Sequence, residues 1–190
     1  MKKFLQETHD WLANIQKAAD TEQDPRRKGI LYNYLHHAAF ELTGDLDELL
    51  ATDRTIEHPV YRARLDGADE AVVIDGADAV RGFYGRLNDG VITMADERLA
   101  VADWGFAAFN TIKLTIEGEK LIELGTEVDD PAAHYAVTRP LCMFWDYDSQ
   151  GRLIGENLYE AALPKVTKLS PEEVVTADEV AEVVRPFRPR

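Results

Sequence analysis

His58 stands directly before a proline in the stretch TIEHPVY, Thr55 to Tyr61. Pro59 confines the backbone of His58 to extended geometry, which helps to hold its side chain in one direction. Histidine titrates near neutrality, so a base aimed into a pocket here could take up and return a proton within one turnover. The plainer alternative is a polar residue at a strand end. A second pair, His36 and His37, lies in sequence of helical period. Neighbours on a helix are about 100° apart, so the two cannot share a face. Ile30, Leu31, Tyr34, Leu35, Ala38 and Leu42 define the apolar arc of that helix. His37 falls beside Tyr34 at the arc's edge and is the inward candidate, while His36 points to solvent. For His37, too, a structural role is open: a part-buried ring bonded to a backbone carbonyl.

Two further polar residues stand out by parity. In FAAFNTIKL, Asn110 shares its strand face with Phe106, Ala108, Ile112 and Leu114. In HYAVTRPLCMFW, Arg139 shares its face with Tyr135, Val137, Leu141, Met143 and Trp145. A polar group on an apolar face needs a partner, either a bound ligand or an acid such as Glu156 or Glu123. Trp104, Tyr84 and Tyr159 are candidates for ligand shelves or for plain core.

What is missing narrows the chemistry. There is no HExxH or comparable ligand spacing for a metal, and no GxGxxG, P-loop or GxSxG. Cys142 is the sole cysteine, so neither a disulfide framework nor a thiolate zinc site is expected, and its strand-like neighbours make it a buried hydrophobe. A formal charge of −14 argues against nucleic acid and against an anionic membrane surface. The basic tail RPFRPR, Arg185 to Arg190, is too short to reverse this and reads as frayed. MKKFLQETHDW lacks the apolar core of a signal peptide, and no run is long enough to span a membrane, so a soluble cytoplasmic protein is expected.

These residues must be held by one domain of 190 residues. Phe4, Leu5, Thr8, Trp11, Leu12 and Ile15 give an amphipathic helix ending near Ala19. Pro25 opens a second helix over about Arg26 to Leu42, Gly44 stops it, and DLDELL forms a short third. VVIDGADAVRGFYGRL joins a short strand to a helix, with Asp75 as N-cap and Ala79, Val80, Phe83, Tyr84 and Leu87 as its stripe. From Val91 the runs VITMA, RLAVA, FAAFNTIKLTI, KLIELGTEV, HYAVTRPLCMFWDY and RLIGENLYEA read as strands. Helices first and a strand meander afterwards define an α+β class: a curved antiparallel sheet forming a cone over N-terminal helices, with an internal pocket. The end, SPEEVVTADEVAEVV, reads as a helix started by Ser170 that packs outside the main body, at a subunit contact.

The ordered set GDLDELL, TIEHPVY, IDGADAVRGFY and FWDYDSQGRLIGENLYE resembles the nuclear transport factor 2-like superfamily. Within it, the set looks like the SnoaL-like branch of steroid isomerases and polyketide cyclases. The resemblance covers about residues 28–162, leaving helix 4–19 and an extension over 163–190 as additions. It implies a sheet wrapped on helices around an apolar pocket, in small homodimers that need neither metal nor organic cofactor. Ketosteroid isomerases read like TVEDPVG around the carboxylate that shuttles the proton, and His58 occupies that position. Their helical tyrosine falls on His37, and their third acid falls near Met143. Other branches, such as scytalone dehydratase-like enzymes, use histidine in this setting.

The expectation is therefore a cofactor-independent enzyme acting on a small apolar, aromatic or polycyclic substrate. His58 would be the base, and His37, supported by Tyr34, the donor to developing negative charge. Asn110 and Arg139 would orient the substrate, with Trp104, Tyr84, Met143 and Tyr159 as walls. The competing expectation is a noncatalytic ligand-binding or dimerisation protein, with a filled pocket or with both histidines already bonded to protein partners.

Overall fold

The computed structural model describes residues 1–87 and 89–189, and the side chains of these except Arg86 and Leu87. The side chain of Leu87 in the helical stripe, and Arg190 of the basic tail, thus lie outside what is described. The chain opens with α1 (Lys3–Thr21), which buries Leu5, Trp11, Leu12 and Ile15 on one stripe. α2 (Pro25–Thr43) is tightly bounded by its own sequence. The Asp24 carboxylate accepts the backbone N–H groups of Arg26 and Arg27 at 2.9 and 3.0 Å, and Pro25 fills the first turn. At the far end Gly44 adopts φ 69° and closes the last turn, a conformation that suits glycine. α3 (Leu46–Leu49) is a single turn.

β1 (Val60–Arg64) and β2 (Val72–Asp75) form an antiparallel pair, followed by α4 (Ala77–Leu87). Three long strands come next: β3 (Val91–Ala102), β4 (Gly105–Glu117) and β5 (His134–Tyr147). α5 (Gly118–Glu123) interrupts the last connection, and β6 (Leu153–Glu160) and β7 (Lys165–Lys168) complete a seven-stranded sheet. Its order is β2-β1-β6-β5-β4-β3, with β7 on the lower half of β5. Every pairing is antiparallel except β1 with β6. α1 and α2 pack on one face, and no helix among the described residues is long and apolar enough to cross a membrane.

Several local expectations fail for identifiable reasons. VITMA and RLAVA are one strand, because a bulge between Ala95 and Arg98 absorbs Asp96 and Glu97 without breaking the pairing to β4. KLIELGTEV is not a strand. Its first half lies in α5, which buries Gly118 and Leu121 while Ile122 and Leu124 face outward. Asp75 belongs to β2, so the first turn of α4 is closed instead by the Gly76 carbonyl accepting from Val80 N–H. Ala79 is exposed, and Cys142 is half-buried.

The C-terminal segment also departs from expectation. Its helix, α6 (Ala177–Val184), starts from a capping box of Thr176 and Glu179 rather than from Ser170. Val180, Val184 and Phe187 are in the main core against α1 and α2. Arg188 pairs with Asp45 and lies 5.1 Å over the Phe40 ring, so the basic tail is anchored at Phe187 and Arg188 while Arg185, Pro186 and Pro189 are exposed.

Candidate functional site

Between the helices and the concave side of the sheet lies a cavity of about 390 Å³. Its inner end is closed by Tyr84, Trp145 and Glu156, which are at most 3% exposed. Its open end is bordered by Asp66, Val72 and Leu124, which face solvent. Most of the wall is apolar, so the few polar groups on it set what it can do chemically.

Those groups converge at the inner end. The Tyr84 hydroxyl donates to Glu156 Oε1 at 2.6 Å. Having spent its only proton there, the Tyr84 oxygen accepts from His37 Nε2 at 2.9 Å, which is itself 3.1 Å from Glu156 Oε1. Nε2 of His37 therefore carries a hydrogen. The edge-on ring of Trp145, 4.6 Å away, fixes the imidazole from the side. One helical turn beyond His37, Glu41 also reaches the cavity. Burial, reinforced by the negative charge of Glu156, pushes its carboxyl up to about 8.

A second carboxyl, half-buried, sits behind the opposite wall. The β3 bulge, with Asp96 at φ 61°, turns Glu97 inward, where it accepts from Trp11 Nε1 at 2.6 Å and Tyr34 hydroxyl at 3.1 Å. Burial raises the Glu97 carboxyl to about 7, opposed by those same hydrogen bonds. Tyr34→Phe is expected to cost about 1–2 kcal/mol in urea unfolding, since one donor to a half-buried carboxyl is lost. It should also raise the Glu97 titration further, and an unchanged Glu97 titration by carboxyl NMR would refute the contact.

No protein-family model matches the chain, and no curated protein matches it. Solved structures do. A presumed SnoaL-like polyketide cyclase from Shewanella denitrificans superposes with a TM-score of 0.53 at 13% identity, over 72% of this chain and 91% of the other. A presumed polyketide cyclase from Xanthomonas campestris pv. campestris gives 0.50 at 16% identity, over 70% and 91%. A computationally designed 17-OHP binder gives 0.50 at 12% identity, over 73% and 96%. The chain shares the fold of these structures, the nuclear transport factor 2-like cone.

On the nuclear transport factor 2-like scaffold the residues singled out from sequence are split. His37, Tyr84, Tyr34, Met143 and Arg139 are on or against the cavity. His58 is not. Its side chain is 72% exposed, and Nε2 is 2.7 Å from Asp75 Oδ1 on the neighbouring strand. The cause is alternation: Pro59, Tyr61 and Ala63 point inward, which turns His58 out. Tyr34 does not support His37, because its hydroxyl is given to Glu97.

The expected wall residues divide in the same way. Tyr159 is on the outer face of β6, with the Arg64 guanidinium 5.7 Å above its ring. Trp104 is 46% exposed at the β3–β4 turn. Asn110 is fully buried but off the cavity surface, its Nδ2 3.8 Å from Met143 Sδ and its Oδ1 unpartnered. Arg139 does line the cavity, but its acids are Asp66 at 2.6 Å and Glu160, not Glu156 or Glu123. Sequence reasoning missed Glu41 and Glu97 altogether, and met Glu156 only as a partner for Arg139. Among the described residues, no group of three or more potential metal ligands comes together.

Proposed function

We propose that the chain is an enzyme that admits a small, largely apolar, aromatic or polycyclic molecule and moves a proton on it. The reaction class is isomerisation, elimination, cyclisation or C–C cleavage, with Glu156 rather than a histidine as base. The observation that carries this reading is Glu156 itself: a carboxylate 2% exposed on the wall of an apolar cavity, steered by Tyr84 and His37. A carboxylate buried this deep without a lysine or arginine partner is uncommon outside functional sites. Glu156 would take a proton from a carbon next to a carbonyl and return it at the same or a neighbouring carbon. His37 and Tyr84 would hold the carboxylate and compensate its charge. The shared fold of a designed 17-OHP binder and of presumed polyketide cyclases supports a cavity of this kind as a ligand site. From the family resemblance the same reading takes a cytoplasmic homodimer.

Deuterium wash-in tests it. The protein is incubated in heavy water with a panel of aryl and polycyclic ketones, and exchange at carbon is followed by NMR. Glu156→Gln is expected to slow exchange by about 10²–10⁴-fold, the usual contribution of a positioned base. His58→Gln should leave the rate unchanged. Undiminished exchange in Glu156→Gln, or its loss in His58→Gln, would sink the assignment.

A second reading, a noncatalytic small-ligand binder, is favoured by one observation. Both histidines already hold protein partners, His58 with Asp75 and His37 with Tyr84 and Glu156. Binding of panel members with no exchange above the solvent rate would select it.

A further inference from the structure

Charge around the cavity is one-sided. Glu156, Glu41 and Asp66 all line it. Among the described residues, the single arginine on its wall, Arg139, is bracketed by Asp66 and Glu160 and so is neutralised where it stands. Among the described residues the Glu41 carboxyl has neither a hydrogen bond nor an ion pair, although it faces the cavity from within the protein. A carboxyl in that position must keep its proton or receive a cation from elsewhere. Its surroundings supply none. The groups facing it are Glu156 from β6, Tyr61 from β1, Tyr84 from α4, and Tyr34 and His37 on α2 itself. Tyrosines carry no positive charge, and Nε2 of His37 is committed to Tyr84 and Glu156.

The same wall is aromatic. Trp145 and Tyr34 stand with centroids 5.2 Å apart, Trp11 is 6.1 Å from Tyr34, and Tyr84 closes the side next to Glu156. Rings of this kind attract cations through their negative faces, and more strongly when water is excluded. Two carboxyls among indoles and phenols make an enclosure for a positive group on an apolar body. An anionic ligand finds the reverse: no cation on the wall that is not already matched, in a chain of net charge −14.

We propose that the ligand of this cavity carries a protonated amine on an aromatic or polycyclic body, with Glu41 as its counter-ion. This rests on the cavity being the ligand site and adds the charge class of the substrate. Binding exchanges one cation for another. The Glu41 carboxylic acid gives its proton to solvent, and the resulting carboxylate pairs with the ammonium. Because Glu41 holds its proton to about pH 8, ligand uptake at pH 7 releases about one proton.

Isothermal titration calorimetry with three matched probes tests this: 2-aminotetralin, 2-tetralol and tetralin-2-carboxylate. Titrations at pH 7 in two buffers of different protonation enthalpy count the protons. The amine is expected to bind at least about tenfold tighter than the alcohol and to release about one proton. Its affinity should rise by up to about tenfold per pH unit from pH 6 towards 8, where the alcohol's stays flat. Glu41→Gln should bring the amine down to the alcohol's affinity; the wild-type pH series tests the same pairing if that variant folds poorly. Alcohol or carboxylate binding as tightly as the amine overturns the proposal and leaves the cavity as the ligand site. Amine binding without proton release, or undiminished in Glu41→Gln, also overturns it. Failure of all three probes to bind removes the cavity reading with it.

Discussion

The midpoint of thermal unfolding is expected to fall as pH rises from about 5 to about 8, the reverse of the behaviour of a protein held together by salt-bridged carboxylates. In the folded chain Glu41 holds its proton to about pH 8 and Glu97 to about 7, against 4.5 for a free glutamate side chain. Between those limits the folded state binds more protons than the unfolded state, so raising the pH draws the equilibrium towards unfolding. The stability is fully present below the unfolded value and is lost as pH climbs through the folded ones. At about 1.4 kcal/mol per unit, Glu41 alone accounts for at most about 5 kcal/mol. For a chain of this size each kcal/mol moves the midpoint by about 2–4 °C.

Variants separate the two groups. Glu97→Gln should about halve the fall below about pH 7, and Glu41→Gln should about halve it there and remove it from 7 to 8. Glu156→Gln should lower the Glu41 titration, since the charge of Glu156 is the second cause of its displacement. Melts at 0.15 M salt and above limit the separate effect of net charge, which is screened over about 8 Å. A midpoint that is level or rising over this pH range would refute the raised Glu41 and Glu97 carboxyls.

Gly155→Ala is expected to destabilise the chain by at least about 3 kcal/mol and to abolish ligand binding together with it. Gly155 lies on β6 where β1 begins to run beside it, and a Cβ there would stand 1.9 Å from the Val60 carbonyl oxygen. No rotamer relieves a clash between a Cβ and a backbone oxygen, so β1 must move off β6. That strand and its partner β2 carry Ala63, Val72 and Ile74 of the cavity wall. Gly85→Ala is the matched control. A Cβ at Gly85, on the exposed side of α4, meets nothing within 4 Å, and alanine in a helix gains up to about 1 kcal/mol over glycine. Urea unfolding of both variants checks the pair. A Gly155→Ala chain as stable as the Gly85→Ala chain would refute the close approach of the strands.

Where local chemistry decides structure, the sequence is legible. Asp24, Pro25 and Gly44 bound α2 to within a residue or two, and alternation along β4 and β5 holds over most of their length. The parallel β1–β6 contact and the docking of Val180, Val184 and Phe187 depend on residues far apart in the chain, and no local period reports them. The site follows the same division. Tyr34, His37 and Glu41 fall three and then four residues apart on one helical face, so the acid is legible beside the histidine. His58 fails for the opposite reason: Pro59 sets the backbone, but the inward parity of Tyr61 sets the side chain, and that parity excludes it. Glu97 leaves no usable signal, because the bulge that turns it inward also breaks the alternation that would reveal it.

The three tryptophans divide unevenly between cavity and solvent: Trp11 and Trp145 on the cavity wall, Trp104 about half in water. Shielded indoles emit at shorter wavelengths than hydrated ones, so the chain's ultraviolet emission is the sum of a blue pair that senses occupancy and a red one that does not. With Trp104 changed to phenylalanine, the remaining light comes from the cavity wall alone. The protein then reports its own ligand, without a label, in a cuvette.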